Sequence, residues 1–290
     1  MGSGCGADHK TGDSLQKTGP KSAATNPLRQ ARLESYEKPT RPTAENTGPY
    51  DEAALKASEA LMITTDGAVY ENLEVKGDIW IDADDVTIRN FRIDAADEYY
   101  GIKVVDGHEG VVIEDGEIFG MTSAGVLGVG LTARRLHVHD SSGDGFKAEG
   151  ESPAPTLIEF CFVEKLGTGE DAHADGNQTR GGANITFRYN NFFLPSPGTP
   201  NYPGAPYKSN AAFMLELGIS DFVIERNWLN GGSYTIYCGS DAGGVSVRNN
   251  VFGRDNDGLP EGKEAGHLVS GECDEWAGNV WEDTGNPARR

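Results

Sequence analysis

The sequence predicts an all-β fold in which short strands stack into one continuous coil. An eight-residue phrase recurs between residues 86 and 281, and its successive copies start 20 to 37 residues apart. Repeats of this length are typical of solenoids, in which each repeat packs on its neighbours. The copies read VTIRNFRI, VVIEDGEI, LTARRLHV, TLIEFCFV, ITFRYNNF, FVIERNWL, VSVRNNVF and a degenerate DEWAGNVW.

Two columns of the phrase support this stack. The third position is apolar in every copy, as expected of a core position. The fourth position changes the sign of its charge at each step through Arg89, Glu114, Arg134, Glu159, Arg188, Glu225 and Arg248. Neighbouring strands lie about 4.8 Å apart, so the column predicts a cross-strand ladder in which like charges never meet. These arginines are therefore structural rather than catalytic candidates.

A second short strand follows each phrase, and Gly, Asp and Asn separate the strands as turn chemistry requires. Asparagines stack at position six in Asn190, Asn227, Asn250 and Asn279, which predicts a ladder of side-chain amide hydrogen bonds. With these features the chain resembles the right-handed parallel β-helix proteins of the pectate-lyase-like group over about residues 68–283. The resemblance implies the fold but not the reaction, because such coils host lyases, hydrolases, epimerases and inert adhesins.

The front of the chain predicts export. Residues 1–48 lack a hydrophobic period and are predicted to be a disordered tether. Their start, MGSGCG, resembles the end of a bacterial lipoprotein signal in which Cys5 would be lipidated and attached to a membrane; a chance sequence is the alternative. Both suit a secreted, periplasmic or cell-surface protein. Residues 49–290 are predicted to be one β-helix domain, with an amphipathic capping helix at residues 49–62.

The formal net charge of -20 argues against a nucleic-acid partner and would also repel acidic polysaccharides at long range. No apolar run reaches the roughly 18 residues of a membrane span, and we expect a monomer. Cys161 is predicted to be a buried thiol. Cys238 and Cys273 lie 35 residues apart on neighbouring turns, where either a disulfide or two free thiols would fit.

Polar side chains concentrate on the middle turns of the second-strand series. In SSGDGFKAEG and GEDAHADGNQTR, the register places Asp144 beside Asp175 and Lys147 beside Gln178. Because outward side chains of stacked strands form a continuous surface, we predict the functional site here. The residues assigned to substrate binding are Asp144, Gln178, Glu149, Glu216, Tyr202, Tyr207, Lys208 and Tyr237.

The longest insertion, residues 193–210, follows these turns and contains five Pro, two Tyr and one Lys. Long loops on a rigid scaffold often build binding sites. Tyr202 and Tyr207 are therefore predicted to stack on sugar faces, with a plain surface loop as the alternative.

The residue types favour a lyase that cleaves a uronate-containing polysaccharide by β-elimination. That reaction needs a cation for the carboxylate, a base for the C5 proton and an acid for the leaving oxygen. β-Helix lyases that resemble this sequence use Lys, Arg or His for such roles, often with calcium. The chain matches no single lyase family's signature residue by residue, so our hypothesis rests on residue type and placement: Lys147 is the base and Arg180 the carboxylate clamp, with His173 and Asp175 as the other catalytic candidates.

Two other functions remain open. Asp144 and Asp175 on adjacent turns would suit the carboxylate pair of a glycoside hydrolase, although the three-Asp cluster and RIK-like element of β-helix polygalacturonate hydrolases are lacking. In a non-catalytic glycan-binding or adhesive β-helix, the same Asp residues would only cap turns. Glu170, Asp171 and Asp175 could hold Ca²⁺. His137 and His139 lie two residues apart on one strand near Asp140, which is compatible with a site role, but this spacing specifies a metal pair only weakly.

Overall fold

The computed structural model describes residues 10–11, 26–35, 40–169, 172–195, 207–255 and 268–290. In these residues the chain forms one 22-stranded sheet in which every pairing between strands is parallel. Besides one α-helix, α1 (Pro27–Ser35), and a 3₁₀ turn at Glu52–Ala54, the described elements are the strands β1 (Lys10–Thr11), β2 (Lys56–Ile63), β3 (Val69–Ile81), β4 (Thr87–Asp94), β5 (Tyr100–Val104), β6 (Val111–Phe119), β7 (Ala124–Leu127), β8 (Leu131–Arg134), β9 (His137–His139), β10 (Asp144–Lys147), β11 (Thr156–Glu159), β12 (Phe162–Glu164), β13 (Ala174–Arg188), β14 (Asn191–Leu194), β15 (Ser209–Glu225), β16 (Trp228–Gly231), β17 (Ile236–Cys238), β18 (Val245–Arg248), β19 (Val251–Phe252), β20 (Val269–Gly271), β21 (Glu275–Ala277) and β22 (Val280–Trp281).

The sheet is folded at corners into three faces, which makes the chain a right-handed parallel β-helix, as predicted. Face 1 contains the first half of each phrase, as in β8 and β11. Face 2 contains the second half, as in β9 and β12. Face 3 contains the second strands, as in β7 and β10. The long strand β3 passes through all three faces, because it pairs with β4 along faces 1 and 2 and with β5 on face 3.

The corner between faces 1 and 2 explains the repeat phrase. Its fifth position has a left-handed backbone in every full copy, with φ between 50° and 57° at Asn90, Asp115, Arg135, Phe160, Tyr189, Arg226 and Asn249. Such a conformation is unfavourable for most residues, so the corner needs support. The predicted asparagine ladder supplies it. Asn227 Nδ2 donates to Asn250 Oδ1 at 3.1 Å, and the backbone N–H of Asn190 donates to Asn227 Oδ1 at 2.9 Å.

The charge column of face 1 is confirmed. The register pairs Arg89 with Glu114, and each later step again sets Arg beside Glu up to Arg248. Contacts include Arg188 to Glu159 at 2.8 Å and Arg248 to Glu225 at 3.0 Å. The arginine side chains of these two pairs are 39% exposed and the glutamates only 10% and 14%, so the pairs are half-buried, and their alternation of charge fixes the register.

The interior is a continuous apolar core. Ile, Val and Leu side chains fill the first turns, and phenylalanines fill the middle ones. Phe187 packs edge-on against Phe213 with ring centroids 5.0 Å apart. This rigid column holds the outward residues of face 3 at fixed positions.

The capping helix predicted at residues 49–62 is wrong, since Lys56–Ile63 form strand β2. Leu61 and Ile63 alternate with exposed or half-buried neighbours, and this period of two aligns β2 with β3. The spaced alanines suggested a helix, but pairing with an already formed turn outweighs that local preference. Strand β2 itself therefore covers the first turn.

Part of the predicted tether is also ordered, contrary to expectation. Helix α1 contacts face 1 through Arg29, which pairs with Glu114 at 2.7 Å. Residues 40–51, which we call the strap, then cross the corner from the last turns to the first. Asn191 donates to the carbonyl of Pro42 at 2.8 Å, and the Gly48 amide donates to the carbonyl of Arg135 at 3.0 Å. Cys5 and most of the tether lie outside the described residues.

The cysteines resolve the alternatives left by the sequence. Cys238 and Cys273 form a disulfide with their Cα atoms 5.4 Å apart, and Cys161 is a buried thiol. In the described part of the chain, no helix is both long and apolar enough to cross a membrane.

Candidate functional site

Two carboxyl groups lie side by side where β10 and β13 begin face 3. The register aligns Phe146 with Asn177, which sets Asp144 beside Asp175, as predicted. The amide of Asp175 donates to Asp144 Oδ1 at 2.7 Å. Each Asp precedes a glycine because the turns approach closely here: a Cβ on Gly145 would lie 2.6 Å from the carbonyl oxygen of Gly176. We call Asp144 and Asp175 the dyad.

The dyad is buried, and this changes its protonation. Asp144 is 6% exposed and Asp175 only 1%. Burial and then the negative charge of Asp144 raise the pKa of Asp175 to about 8. Burial also raises the pKa of Asp144, but the Asp175 amide and Lys147 oppose this, and Lys147 Nζ lies 3.3 Å from Asp144 Oδ2. Both shifts favour protonation, and the contacts that oppose the rise at Asp144 direct the shared proton of this coupled pair toward Asp175.

Side chains from the next two turns form a chain of polar contacts that starts at Asp175 of the dyad. Asn210 Nδ2 donates to Asp175 Oδ1 at 3.0 Å, and the Tyr237 hydroxyl lies 3.5 Å from Asn210 Oδ1. Tyr237 was predicted for this site, whereas Asn210 was missed. Its signal was its position at the start of β15, the strand that pairs with β13, one residue before Ala211, the register partner of Asp175. Gln178 borders the same site, because it follows Asn177 in register and pairs with Met214.

A second polar group on face 3 binds the predicted carboxylate clamp. Glu149 Oε2 accepts a hydrogen bond from the Arg180 amide at 3.0 Å. Arg180 pairs in register with Glu216, and Arg180 Nε lies 3.4 Å from Glu216 Oε2. The Arg180 side chain is 55% exposed. It is thus accessible, but its guanidinium is already paired with Glu216.

The remaining predicted residues are more dispersed. His173 is exposed, two residues before Asp175. Tyr207 donates to Asp140 Oδ1 at 3.1 Å, and the Lys208 amide donates to the carbonyl of Gly167, so both lie along the corner between faces 2 and 3.

Tyr202, Glu170 and Asp171 lie outside the described residues. Of the three carboxylates assigned to Ca²⁺, only Asp175 lies in the described part of the chain. Its Oδ1 is occupied by Asn210, and its pKa of about 8 disfavours the ionised form that calcium requires. Calcium binding therefore stays a prediction.

Face 2 carries a polar cluster that the sequence specified only weakly. His137 and His139 of β9 project from the same side, with ring centroids 4.0 Å apart. His139 Nε2 lies 3.0 Å from Glu117 Oε1, and His137 Nε2 lies 3.1 Å from Glu164 Oε1. Burial lowers the pKa of His137. Burial opposes a rise in the pKa of His139, but hydrogen bonds to Glu117 and Asp140 outweigh it. We call Glu117, His137 and His139 the histidine cluster.

The sequence matches no protein-family model and no curated protein. Among solved structures, the chain is similar to the catalytic domain of a GH87 α-1,3-glucanase in complex with nigerose, with 13% identity and a TM-score of 0.49 over 72% of this chain and 44% of the glucanase chain.

Two lyases are similar at comparable levels. Pectate lyase Pel9A gives 13% identity and a TM-score of 0.41 over 71% of this chain and 63% of its own. An alginate lyase from Paenibacillus sp. str. FPU-7 gives 14% identity and a TM-score of 0.42 over 78% of each chain. The chain spans less than half of the glucanase chain. At these identities the likeness concerns the fold, and the functional argument has to come from the site.

Proposed function

We propose that the protein is a polysaccharide-degrading enzyme that cleaves a glycosidic bond with the dyad. The observation that carries this proposal is the pair of adjacent buried carboxyls, in which burial and Asp144 raise the pKa of Asp175 to about 8, while the Asp175 amide and Lys147 oppose the rise in the pKa of Asp144. Two carboxyl groups in opposite protonation states are the working parts of a glycoside hydrolase.

In this mechanism Asp175 donates its proton to the leaving glycosidic oxygen. Asp144 attacks the anomeric carbon, and Asp175 then activates the water that releases the sugar. Strands about 4.8 Å apart suit the separation of about 5 to 5.5 Å that direct attack requires. Lys147 Nζ, 3.3 Å from Asp144 Oδ2, opposes the rise in the pKa of Asp144 that burial causes and so favours the carboxylate needed for attack. Asn210, at 3.0 Å from Asp175 Oδ1, orients the acid.

Charge favours a neutral glycan. Each of the two cations of the site is paired with a carboxylate, Lys147 with Asp144 and Arg180 with Glu216, and the whole chain carries -20. A polyuronate would meet repulsion here. Beside the dyad, Tyr234 and Tyr237 pack edge-on with centroids 4.7 Å apart, and such rings suit the apolar faces of sugars.

β-Elimination is the second candidate. Lys147 reaches the dyad and His173 is exposed nearby, so a base and a cation are at hand. Against it, Lys147 is already paired with Asp144, and Arg180 is already paired with Glu216. The reaction centre is the same in both candidates, and the products differ.

The disulfide between Cys238 and Cys273 supports action outside the cytoplasm, since such bonds persist in oxidising compartments. Attachment through a lipidated Cys5 extends this proposal.

The test is incubation with a panel of neutral and uronic-acid polysaccharides, with and without calcium. Reducing ends and ultraviolet absorbance are followed together. We expect new reducing ends on a neutral glycan without an unsaturated product. Asp144→Asn and Asp175→Asn should each lower the rate at least about 100-fold, whereas Asp97→Asn, an exposed carboxyl, should not.

An increase in ultraviolet absorbance would show an unsaturated product and would assign the reaction to β-elimination instead of hydrolysis. Glycan binding without any product would favour the adhesive β-helix. Unchanged rates in both dyad variants would show that the dyad takes no part in the reaction.

A further inference from the structure

The histidine cluster lies on face 2, away from the strands that hold the dyad. Residues 137 and 139 are two apart on β9, so both imidazoles point outward from the same side of the sheet. The register pairs His137 with Glu117 of the preceding turn. One ligand atom from each of Glu117, His137 and His139 lies within 4.8 Å of the other two.

The spacing fits a metal ion. His139 Nε2 and Glu117 Oε1 are 3.0 Å apart. Ligand atoms about 2.0 to 2.1 Å from zinc are about 3.3 Å apart in a tetrahedral site and about 2.9 Å apart in an octahedral one. An ion could therefore replace the hydrogen bond between these two side chains with only small movements.

Neighbouring residues already orient the candidate ligands. Asp140 Oδ2 lies 2.7 Å from His139 Nδ1, which directs Nε2 of the same ring toward Glu117. Arg92 binds the other oxygen of Glu117, Oε2, and leaves Oε1 facing the histidines. Carboxylate–histidine pairs of this kind are the usual outer shell of zinc sites.

The cluster is also shielded from solvent. His137 is 8% exposed. The strap passes over the cluster, since a Cβ built on Gly48 would lie 3.9 Å from the Cβ atoms of both Glu117 and His137. Exclusion of water strengthens charge–ligand interactions.

We propose that Glu117, His137 and His139 form a site for a divalent transition metal of the zinc class. Two imidazoles and one carboxylate suit Zn²⁺, Co²⁺ and Ni²⁺ better than Ca²⁺ or Mg²⁺, which prefer oxygen ligands alone. A bound ion would tie β6 to β9 on consecutive turns. This inference does not depend on the proposed glycan cleavage.

The test uses the full chain, stripped of metal with a chelator and titrated with Zn²⁺ or Co²⁺ by calorimetry. Visible absorption of Co²⁺ reports imidazole coordination. We expect one equivalent to bind, with a higher unfolding temperature and no comparable binding of Ca²⁺.

His137→Ala and His139→Ala each remove a ligand and should weaken metal binding at least about 100-fold. Asp140→Asn removes the carboxylate that supports His139 and should weaken binding about 10- to 100-fold. Glu117→Gln keeps the hydrogen-bonding shape but not the charge, and guards against a folding defect in the alanine variants. The matched control is His108→Ala, because His108 contacts two carboxylates, Asp82 and Asp84, at 2.9 and 3.0 Å without a second histidine.

The absence of Zn²⁺ and Co²⁺ binding by the folded wild type would overturn the proposal and leave a closed hydrogen-bond network. Binding that survives in His137→Ala, His139→Ala and Glu117→Gln, or that is lost equally in His108→Ala, would assign the ion to another place and equally overturn it.

Discussion

Replacing Asp175 by Asn should make stability less dependent on pH. Asp175 is 1% exposed, and its pKa rises from 3.8 to about 8 on folding, first through burial and then through Asp144. A carboxyl whose folded pKa lies above its unfolded pKa binds more protons when folded. Its destabilising effect is absent below the unfolded value and grows as pH rises toward the folded value.

The size of the effect follows from one proton. Each proton held only by the folded state changes the unfolding free energy by about 1.4 kcal/mol per pH unit. Between pH 5 and 7 the wild type should therefore lose up to about 2.7 kcal/mol through Asp175. The measured value will be lower to the extent that Asp144 shares the proton. Asn cannot ionise and carries no such dependence.

Urea unfolding followed by tryptophan fluorescence at pH 5, 6 and 7 measures this difference. Asp175→Asn should gain stability over the wild type as pH rises, by up to about 2.7 kcal/mol across the range. Asp97→Asn, which replaces an exposed carboxyl, should follow the wild type. Parallel curves for Asp175→Asn and wild type would refute the assignment of the proton to Asp175, and with it the acid of the proposed mechanism.

Two further predictions concern the scaffold. Asn227→Ala should lower the free energy of unfolding by about 3 kcal/mol, because it leaves the Asn190 amide and the Phe187 carbonyl unpaired in the interior. Urea unfolding checks this against the exposed Asn286→Ala, and equal losses would contradict a ladder role. The double variant Cys238→Ser and Cys273→Ser should lose about 4 kcal/mol in the same assay, since the disulfide closes a loop with a sequence separation of 35 residues. Unchanged stability would show that this crosslink does not restrict the unfolded chain.

Much of the fold could be read from the sequence because each column has one physical demand. The fourth position alternates charge because a stack sets neighbours about 4.8 Å apart, and the sixth position repeats Asn because the left-handed corner leaves backbone groups to satisfy. The first turn could not be read in this way. Lys56–Ile63 have no preceding copy to align with, so their spaced alanines favoured a helix, and only pairing with β3 decides for a strand.

The site was half predictable for a related reason. The register placed Asp144 beside Asp175 from spacing alone. It could not show that Asn210 would reach Asp175 after an insertion of irregular length. The contact between His139 and Glu117 depends on which corner each turn takes. That is a property of the coil and not of any local motif.

The two clusters are joined by one short segment, which affects how their roles can be separated. Asp140 contacts His139 and accepts the hydroxyl hydrogen bond of Tyr207, and three residues later Asn210 reaches Asp175. A metal at the histidine cluster would fix Asp140, and through Tyr207 it would position the segment that holds the dyad acid. Loss of cleavage on metal removal would therefore not make the metal catalytic. Asn210→Ala separates the two roles, because it breaks the contact with Asp175 and leaves the contacts of Asp140 in place: cleavage should fall while Co²⁺ binding stays unchanged.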